Sequence, residues 1–278
     1  MGHSAARKAW AGILDDPIGG RTAKPRTSGI SFLSVKGLGL AGTRDLIEVA
    51  ADYVDRVKLA FGTTLMLDER FLREKIRLLR EADIDVNPGG TSGEIALYQD
   101  HYPEYLGRAR ELGFTTIEVS DGTVTMDDRT REWMIKSALD AGFEVVSEVG
   151  KKDPSLTLPV VEAIHQIERD LGHGASYVTI EARASAKSVG VFDADGKVKA
   201  GDVEQIAAAV DPDLLIWEAP TAEGQLFFVK RFGVNVNLGN IAPMDIIPVE
   251  GLRRGLRADT FRTVVHLPGT PHAPRRSV

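Results

Sequence analysis

The chain has 278 residues, of which 43% are hydrophobic and 27% are charged, a composition that excludes a protein disordered throughout. Its 34 basic and 40 acidic side chains give a net charge of −6, which argues against a nucleic-acid partner, and no apolar run is long enough to span a membrane. The absence of cysteine excludes a disulfide scaffold, a cysteine zinc site and a cysteine nucleophile, and it favours a cytoplasmic location.

The two ends of the chain differ in composition from its middle. Residues 1–28 contain Gly19-Gly20, two prolines and scattered basic side chains, which predict a loose arm with one short helix near Ala9–Leu14. Residues 263–278 include three prolines and two adjacent arginines, which predict a flexible tail. The predicted domain is therefore a single unit over residues 29–262.

Between these ends, short β-branched or apolar runs alternate with amphipathic helical patterns. The predicted strands are Ile30–Val35, Val54–Ala60, Asp85–Asn87, Thr116–Ser120, Glu144–Val149, Tyr177–Glu181, Leu214–Glu218 and Asn235–Leu238. The predicted helices are Thr43–Asp52, Asp68–Ala82, Pro103–Leu112, Asp127–Ala141, Leu158–Leu171, Asp202–Val210, Glu223–Phe232 and Val249–Ala258. Eight such units, spaced by roughly 20–35 residues, predict an α/β fold of the (β/α)₈ TIM-barrel type, with a doubly wound open sheet as the alternative.

Residues at the predicted boundaries support this alternation. Thr43 and Asp68 are expected to cap helices, and Pro103 suits the first turn of a helix. Gly113 and Gly142 stand where helices should end, directly before strands.

Charged side chains occur inside the predicted strands. Because side chains alternate across a strand, Lys58, between the apolar Val57 and Leu59, is predicted to face the barrel axis. The same alternation turns four glutamates inward near the carboxyl ends of consecutive predicted strands: Glu118, Glu148, Glu181 and Glu218. Barrel enzymes place their active sites at these ends, so the pattern indicates a site.

Unpaired charges inside a barrel are costly, so these groups must pair with one another, hold a metal or meet a charged ligand. Carboxylates suit a hard cation such as Mg²⁺, and the nearby Arg183 suits a phosphate or carboxylate. The turn Pro88–Thr91 could present backbone N–H groups to an anion. A purely structural ion-pair network is the alternative.

Segments at these same positions resemble the phosphosulfolactate synthase family. They are Lys24–Gly29, Tyr53–Lys58, Pro88–Thr91, Ile117–Gly122, Ser147–Lys152, Ile180–Arg183, Glu218–Pro220, Val236–Ile241 and Gly251–Phe261. The resemblance implies a (β/α)₈ fold and a carbon–sulfur lyase of sulfonate biosynthesis that adds sulfite to phosphoenolpyruvate with Mg²⁺. It also implies attack of sulfite on C2, protonation at C3, and a homo-oligomer based on a trimer.

The resemblance also implies roles for individual residues. Lys152 is the expected proton donor, and Lys58 and Arg183 are expected to bind phosphate or sulfite. The expected metal ligands are Glu118, Glu148, Glu181 and Glu218. The remaining expected substrate-binding residues are Lys36, Gly89, Gly90, Thr91, Ser120, Lys151, Asn237 and Asn240.

Three departures from the family pattern leave the reaction partner open. Val35 and Ala184 replace acidic residues, and Ser92-Gly93 replaces two bulky residues expected at the mouth. One alternative is therefore an enzyme of bacterial specialised metabolism that uses another nucleophile or phosphorylated acid. Another is a non-catalytic protein of the heat-stress-associated type, although the retained inward charges argue against lost catalysis.

Overall fold

The described residues form eight parallel β-strands joined by helices, in a computed structural model that describes residues 8–151, 158–182 and 190–265. The strands are β1 (Ser31–Val35), β2 (Arg56–Leu59), β3 (Asp85–Asn87), β4 (Thr116–Ser120), β5 (Glu144–Val149), β6 (Tyr177–Ile180), β7 (Leu215–Glu218) and β8 (Leu238–Ile241). The helices are α1 (Leu40–Ala50), α2 (Glu69–Glu81), α3 (Gly90–Tyr98), α4 (Tyr102–Leu112), α5 (Asp128–Asp140), α6 (Val160–His173), α7 (Ala200–Ala209), α8 (Ala222–Phe232), α9 (Ile246–Arg253) and α10 (Ala258–Val265). Within these ranges, no helix has both the length and the apolar character that a membrane span requires.

The strands follow one another around a cylinder. Neighbouring strands pair in the order β3-β2-β1-β8-β7-β6-β5-β4. β3 and β4 complete the ring at Thr115, whose N–H donates to the Val86 carbonyl at 3.1 Å and whose hydroxyl accepts from the Val86 N–H at 3.0 Å. This circular order is that of a single-domain (β/α)₈ TIM barrel, and it excludes the doubly wound open sheet, whose strand order reverses.

Two apolar clusters lie on opposite sides of the sheet. Outward-facing side chains of the strands pack against the helices, with Trp217 stacked on Phe228 at 5.1 Å between ring centroids. A smaller cluster lies inside the barrel and consists of Ile30, Phe32, Val146, Tyr177 and Ile216. Val146 and Ile216 each stand two residues before an inward glutamate. The interior therefore holds an apolar layer beneath the inward glutamates, and on the amino-terminal side of this layer Arg56 of β2 pairs with Glu144 at 2.7 Å.

The capping residues give a mixed outcome. Asp68 caps α2 as predicted, because its carboxylate accepts from the N–H groups of Arg70 and Phe71 at 3.0 and 3.3 Å. The prediction for Thr43 is wrong. Helix α1 begins three residues earlier, so Thr43 lies within the first turn and its hydroxyl donates to the Gly39 carbonyl at 2.8 Å.

Among the element boundaries that differ from the prediction, three affect the site or the extent of the domain. The segment Pro88–Thr91 is not only a turn, because α3 begins inside it; its glycines are poor helix formers, and packing against β4 compensates. β8 begins at Leu238 instead of ending there, because its register places Leu238 beside Ser31 of β1 and Trp217 of β7. Helix α10 runs to Val265, past the predicted end of the domain, and the rest of the predicted tail lies outside the described residues.

The described part of the amino-terminal arm is packed on the barrel. Arg21 pairs with Glu250 at 3.2 Å and Arg26 with Asp55 at 2.9 Å, and all four side chains are at most 10% exposed. Residues 9–14 form hydrogen-bonded turns instead of the predicted short helix. The arm was predicted to be loose because its composition does not reveal ion pairs with residues far away in the chain.

Candidate active site

A cavity of about 460 Å³ opens at the carboxyl ends of the strands. Its polar lining consists of Ser34, Lys58, Thr91, Glu118, Thr123, Glu148, Glu181, Glu218 and Asn240. Small-molecule sites commonly measure about 300–1,000 Å³, and barrel enzymes carry them at this end. The cavity is therefore the candidate active site.

Lys58 of β2 lies at the centre of this lining. Its ammonium nitrogen donates hydrogen bonds to three carboxylates, at 3.2 Å to Glu118, 3.0 Å to Glu148 and 3.3 Å to Glu218. All four side chains are at most 10% exposed. Below them, the ring centroid of Phe32 lies 5.8 Å from the Lys58 nitrogen. The predicted inward direction of these charged side chains is confirmed, and they meet in one cluster above the apolar layer.

The charge of Lys58 is set by this cluster. Burial alone lowers the pKa of a lysine, but the attraction of Glu118, Glu148 and Glu218 outweighs burial and raises the Lys58 pKa well above its ordinary value. Lys58 is therefore a fixed positive charge, and it does not exchange protons near neutral pH.

Backbone amides hold two of the glutamates in place. The Gly90 N–H donates to Glu118 at 2.8 Å, and the Ala182 N–H donates to Glu218 at 3.0 Å. The Asn240 amide group adds a third donor to Glu218, at 3.1 Å. Asn240 thus lines the cavity as predicted, although its side chain already supports a carboxylate.

Glu181 follows β6 and lies in a slot between two glycines. A Cβ atom on Gly150 would lie 2.8 Å from the Glu181 Cβ, and one on Gly190 would lie 1.9 Å from the Glu181 carbonyl oxygen. Neither distance is compatible with a side chain, so both positions require glycine. The slot places the Glu181 carboxylate on the cavity wall, on the strand next to Glu148.

The start of α3 differs from its predicted role. The Gly89 N–H donates to the Asn87 side chain at 2.8 Å, and the Gly90 N–H is used by Glu118. These two amides therefore organise the wall, whereas the prediction had them binding an anion. Thr91 lies at the cavity with them.

Ser120 belongs to a second group of contacts that the sequence analysis did not identify. Its hydroxyl donates to the buried carboxylate of Glu94 on α3. The other oxygen of Glu94 accepts from the N–H groups of Thr123 and Val124, at 2.9 and 3.0 Å. Glu94 therefore positions the loop after β4, which brings Thr123 to the cavity. The one sequence feature that could have identified Glu94 is its position, as an acidic residue four residues after Gly90 in a glycine-rich segment.

Lys151 is held beside the cavity by a buried ion-pair network. Its ammonium donates to the carboxylate and to the backbone carbonyl of Asp121. Arg131 of α5 reaches the same carboxylate at 3.2 Å, binds Asp170 through two nitrogens, and donates to the Glu148 carbonyl at 2.9 Å. The network fixes the ends of β4 and β5 relative to each other. Arg131 was missed because nothing in its own helix predicts its burial.

Four predicted substrate-binding residues are not in the cavity lining: Ser120 and Lys151, whose contacts are given above, and Asn237 and Lys36. Asn237 is a correction: it precedes β8, at the amino ends of the strands, and its side chain bonds the Ile30 N–H and the carbonyls of Asp213 and Leu215. The shifted start of β8 explains this error. Lys36 is exposed on the rim, with its ammonium nitrogen 4.8 Å from the ring centroid of Phe61.

The departures from the family pattern have little effect on the described wall. Val35 faces the helices and packs in the outer cluster, so it does not remove a carboxylate from the cavity. Ser92 donates to the Pro88 carbonyl at 3.1 Å, and Gly93 lies against Met134 behind β4. The expectation that Ser92 and Gly93 widen the mouth is therefore wrong.

The four glutamates predicted to bind a metal all line the cavity. Across residues 8–151, 158–182 and 190–265, no group of three or more histidine, aspartate or glutamate side chains is arranged to hold a metal ion. The Lys58 ammonium lies among three of the four glutamates that were expected to be ligands. Lys152 and Arg183, two of the three expected catalytic residues, lie outside the described residues, as does Ala184.

Comparison with known proteins identifies relatives over most of the chain. The profile of the (2R)-phospho-3-sulfolactate synthase family matches residues 19–259. The phosphosulfolactate synthase of Methanothermobacter thermautotrophicus is 41% identical over 246 residues, covering 88% of this chain and 95% of that protein. Protein HEAT-STRESS-ASSOCIATED 32 of Arabidopsis thaliana is 22% identical, over 78% of this chain and 83% of its own length.

Solved structures of similar architecture are much more distant in sequence. The putative copper homeostasis protein CutC of Streptococcus agalactiae superposes with a TM-score of 0.53 at 15% identity. The match covers 76% of this chain and 98% of that one. At this level of identity the likeness concerns the barrel fold alone.

We predict that Gly90→Ala damages the site without disrupting the barrel. A Cβ atom at this position would lie 2.4 Å from the Ser120 hydroxyl and 3.0 Å from a Glu118 oxygen, so both side chains must move. We expect a loss of activity of about tenfold or more and a stability loss of about 1–3 kcal/mol. Gly107→Ala on α4 is the matched control, because its Cβ would meet nothing within 4 Å. Equal effects of the two substitutions in kinetic and urea-unfolding measurements would contradict this account.

We predict that Lys58→Met lowers the free energy of unfolding by about 3–5 kcal/mol, because it leaves buried carboxylates without their shared cation. The raised pKa means that Lys58 contributes its full stabilisation below its ordinary pKa of 10.5 and loses it only as the pH rises through the higher folded value. Lys58 stays charged between about pH 7 and about pH 9, whereas the buried glutamates that the variant leaves without a cation bind protons more readily as the pH falls. The difference between wild type and variant should therefore be no smaller at about pH 9 than at about pH 7. Urea unfolding across that range tests this, and a difference that decreases as the pH rises would show that Lys58 loses its charge there.

Proposed function

This chain belongs to the phosphosulfolactate synthase family, and from that membership we propose that it is a carbon–sulfur lyase that adds sulfite to phosphoenolpyruvate. The observation that supports this most strongly is the Lys58 cluster. Three glutamates and one lysine are buried in the lining of a cavity large enough for a phosphorylated three-carbon acid. Such a concentration of charge is costly for folding and suits an ionic substrate.

The direction of addition expected from the resemblance needs correction. The family name places the sulfo group on C3 of lactate and the stereocentre on C2. Conjugate addition has the same outcome, because a nucleophile adds to the alkene carbon β to the carboxylate. We therefore propose that the sulfite sulfur forms a bond to C3 while the alkene electron pair moves through C2 onto the carboxylate. A proton is then added at C2, and no bond to phosphate is broken.

Different residues of this chain have different roles in the proposed reaction. In this proposal Lys58 acts as a charge and is not the proton donor, because the surrounding glutamates raise its pKa and favour its charged form. It serves instead to hold Glu118, Glu148 and Glu218 in place and to present positive charge to the substrate. We assign the proton transfer to C2 to Lys152, which directly follows the anchored Lys151 in the sequence. Arg183 is our proposed ligand for phosphate or sulfite.

Mg²⁺ is the cofactor we propose, with fewer protein ligands than the four glutamates expected from the resemblance. The wall carries oxygen donors, which Mg²⁺ prefers, and this ion commonly takes one or two carboxylates and leaves its other positions to water and substrate. Glu148 and Glu181, on neighbouring strands, are the carboxylates we assign to it. When bound, the ion would supply charge neutralisation for the substrate carboxylate as negative charge develops there.

The alternatives have less support. The Val35 departure does not alter the cavity, so it does not favour a different nucleophile. A non-catalytic role of the heat-stress-associated type is supported only by a relative of 22% identity, against 41% for an enzyme of the family. The trimer-based assembly and the cytoplasmic location stay predictions.

Direct assay tests the proposed reaction. The protein is incubated in D₂O with phosphoenolpyruvate, sulfite and Mg²⁺, and followed by ³¹P and ¹³C NMR and by mass spectrometry. We expect a sulfonated phosphoester with deuterium at C2 and a CH₂ group at C3, and loss of turnover when EDTA removes the metal. Deuterium at C3 would contradict the proposed direction of addition. Binding without sulfonation would favour another nucleophile, and no binding would favour the non-catalytic alternative.

Lys152→Ala tests the proposed proton donor. We expect turnover to fall by about 10²-fold or more, with the dissociation constant for phosphoenolpyruvate changed much less, since general acid catalysis contributes about 10²–10⁴-fold. Lys230→Ala, at an exposed lysine near the end of α8, is the matched control and should behave as wild type. Unchanged turnover in Lys152→Ala would remove this residue from its role, and calorimetry separates binding from turnover.

A further inference from the structure

Phe61 occupies an unusual position on the rim of the cavity. It follows β2 by two residues and lines the cavity, and 59% of its surface is exposed to solvent. Lys36 directly follows β1, which pairs with β2 at Val35 and Leu59, and its ammonium nitrogen lies 4.8 Å from the centroid of the Phe61 ring. Lys36 and Phe61 thus form a cation–π pair at the entrance, which we call the rim pair.

The backbone of Phe61 is in the left-handed conformation. Its φ is +60°, and Gly62 follows with φ +62°. The Thr63 hydroxyl closes this turn by donating to the Ala60 carbonyl at 2.8 Å. Two consecutive left-handed residues are normally asparagine and glycine, because a large side chain is strained there.

Other residues with this strain have an evident local reason. In the described part of the chain, the further non-glycine residues with positive φ are Asp83, Asp100 and Asn240, which are residue types that tolerate this conformation. Phe61 has no such tolerance, and its ring belongs to neither apolar cluster. Strain without a packing benefit concentrates at functional sites, where a ligand contact accounts for it.

We propose that Phe61 is a substrate-positioning residue, which holds the Lys36 ammonium at the rim of the cavity so that it binds an anionic group of a phosphorylated acid. The face of the ring attracts the cation, and the N–H groups that point away from the ring are left to bind phosphate or carboxylate oxygens. The ring itself covers part of the mouth. The identity of the ligand rests on the proposed function, whereas the strain at Phe61 does not.

The key variant is Phe61→Gly, which removes the ring and fits the left-handed turn. We expect a KM for phosphoenolpyruvate raised about fivefold to tenfold, with kcat changed less than about threefold, as for loss of one cation–π contact. The midpoint of thermal unfolding should be equal to or above that of wild type, because the strain is relieved. A residue that served only the fold would show the opposite, a lower midpoint with an unchanged KM.

Two matched substitutions at Phe61 distinguish the effect of an aromatic ring face from the effect of apolar side-chain volume. Phe61→Trp keeps an aromatic face and should retain a KM near that of wild type, whereas Phe61→Leu keeps apolar bulk only and should resemble Phe61→Gly in KM. Lys36→Met should raise KM similarly, and the double variant Lys36→Met/Phe61→Gly should be no worse than Lys36→Met alone. Additive effects in the double variant would overturn the proposal, because Phe61 would then act independently of Lys36.

Calorimetric binding of phosphoenolpyruvate, without sulfite, distinguishes failure of this inference from failure of the proposed reaction. If wild type binds but does not sulfonate, the reaction is refuted, and the ratio of dissociation constants between wild type and Phe61→Gly decides the inference in place of KM. If both proteins bind equally, the inference alone is overturned. If wild type does not bind, both are overturned.

Discussion

The arrangement of the strand ends at the mouth of this barrel depends on one interaction. This is the contact of the Lys58 ammonium with the carboxylates of Glu118, Glu148 and Glu218. The four groups come from four strands and are almost fully buried, so none would be stable there alone. Their mutual attraction holds the carboxyl ends of β2, β4, β5 and β7 in register around a common centre. The apolar side chains beneath them exclude water from the other side of the cluster.

Glycines and buried carboxylates then build the rest of the wall around this centre. Gly90 allows the start of α3 to approach Glu118, and Gly150 and Gly190 enclose Glu181. Glu94 and Arg131 fix the loops that follow β4 and β5. At the centre, the surrounding glutamates raise the pKa of Lys58, so this side chain supplies positive charge. A site of this kind suits an anionic substrate that develops further charge during the reaction.

The sequence predicted more of the barrel than of the site. Strand β5 was predicted to the residue, and the inward direction of Lys58 followed from its apolar neighbours. Asn237 was placed at the wrong end because the predicted strand Asn235–Leu238 ends at the residue where the pairing of β8 begins. The amides of Gly89 and Gly90 were expected to bind an anion, but partners on other segments use them. Glu94 was missed for the same reason, since its partners lie nearly thirty residues away.

The sequence by itself determined which side chains face the barrel axis, because alternation along a strand is a local property of the backbone. It also determined the family, through motifs spread over most of the chain. Only the tertiary structure decided which charges meet, because the partners of Lys58 lie 60, 90 and 160 residues away in sequence. Their distances depend on the stagger of strands around a closed cylinder, and that stagger arises only when all the strands pair at once.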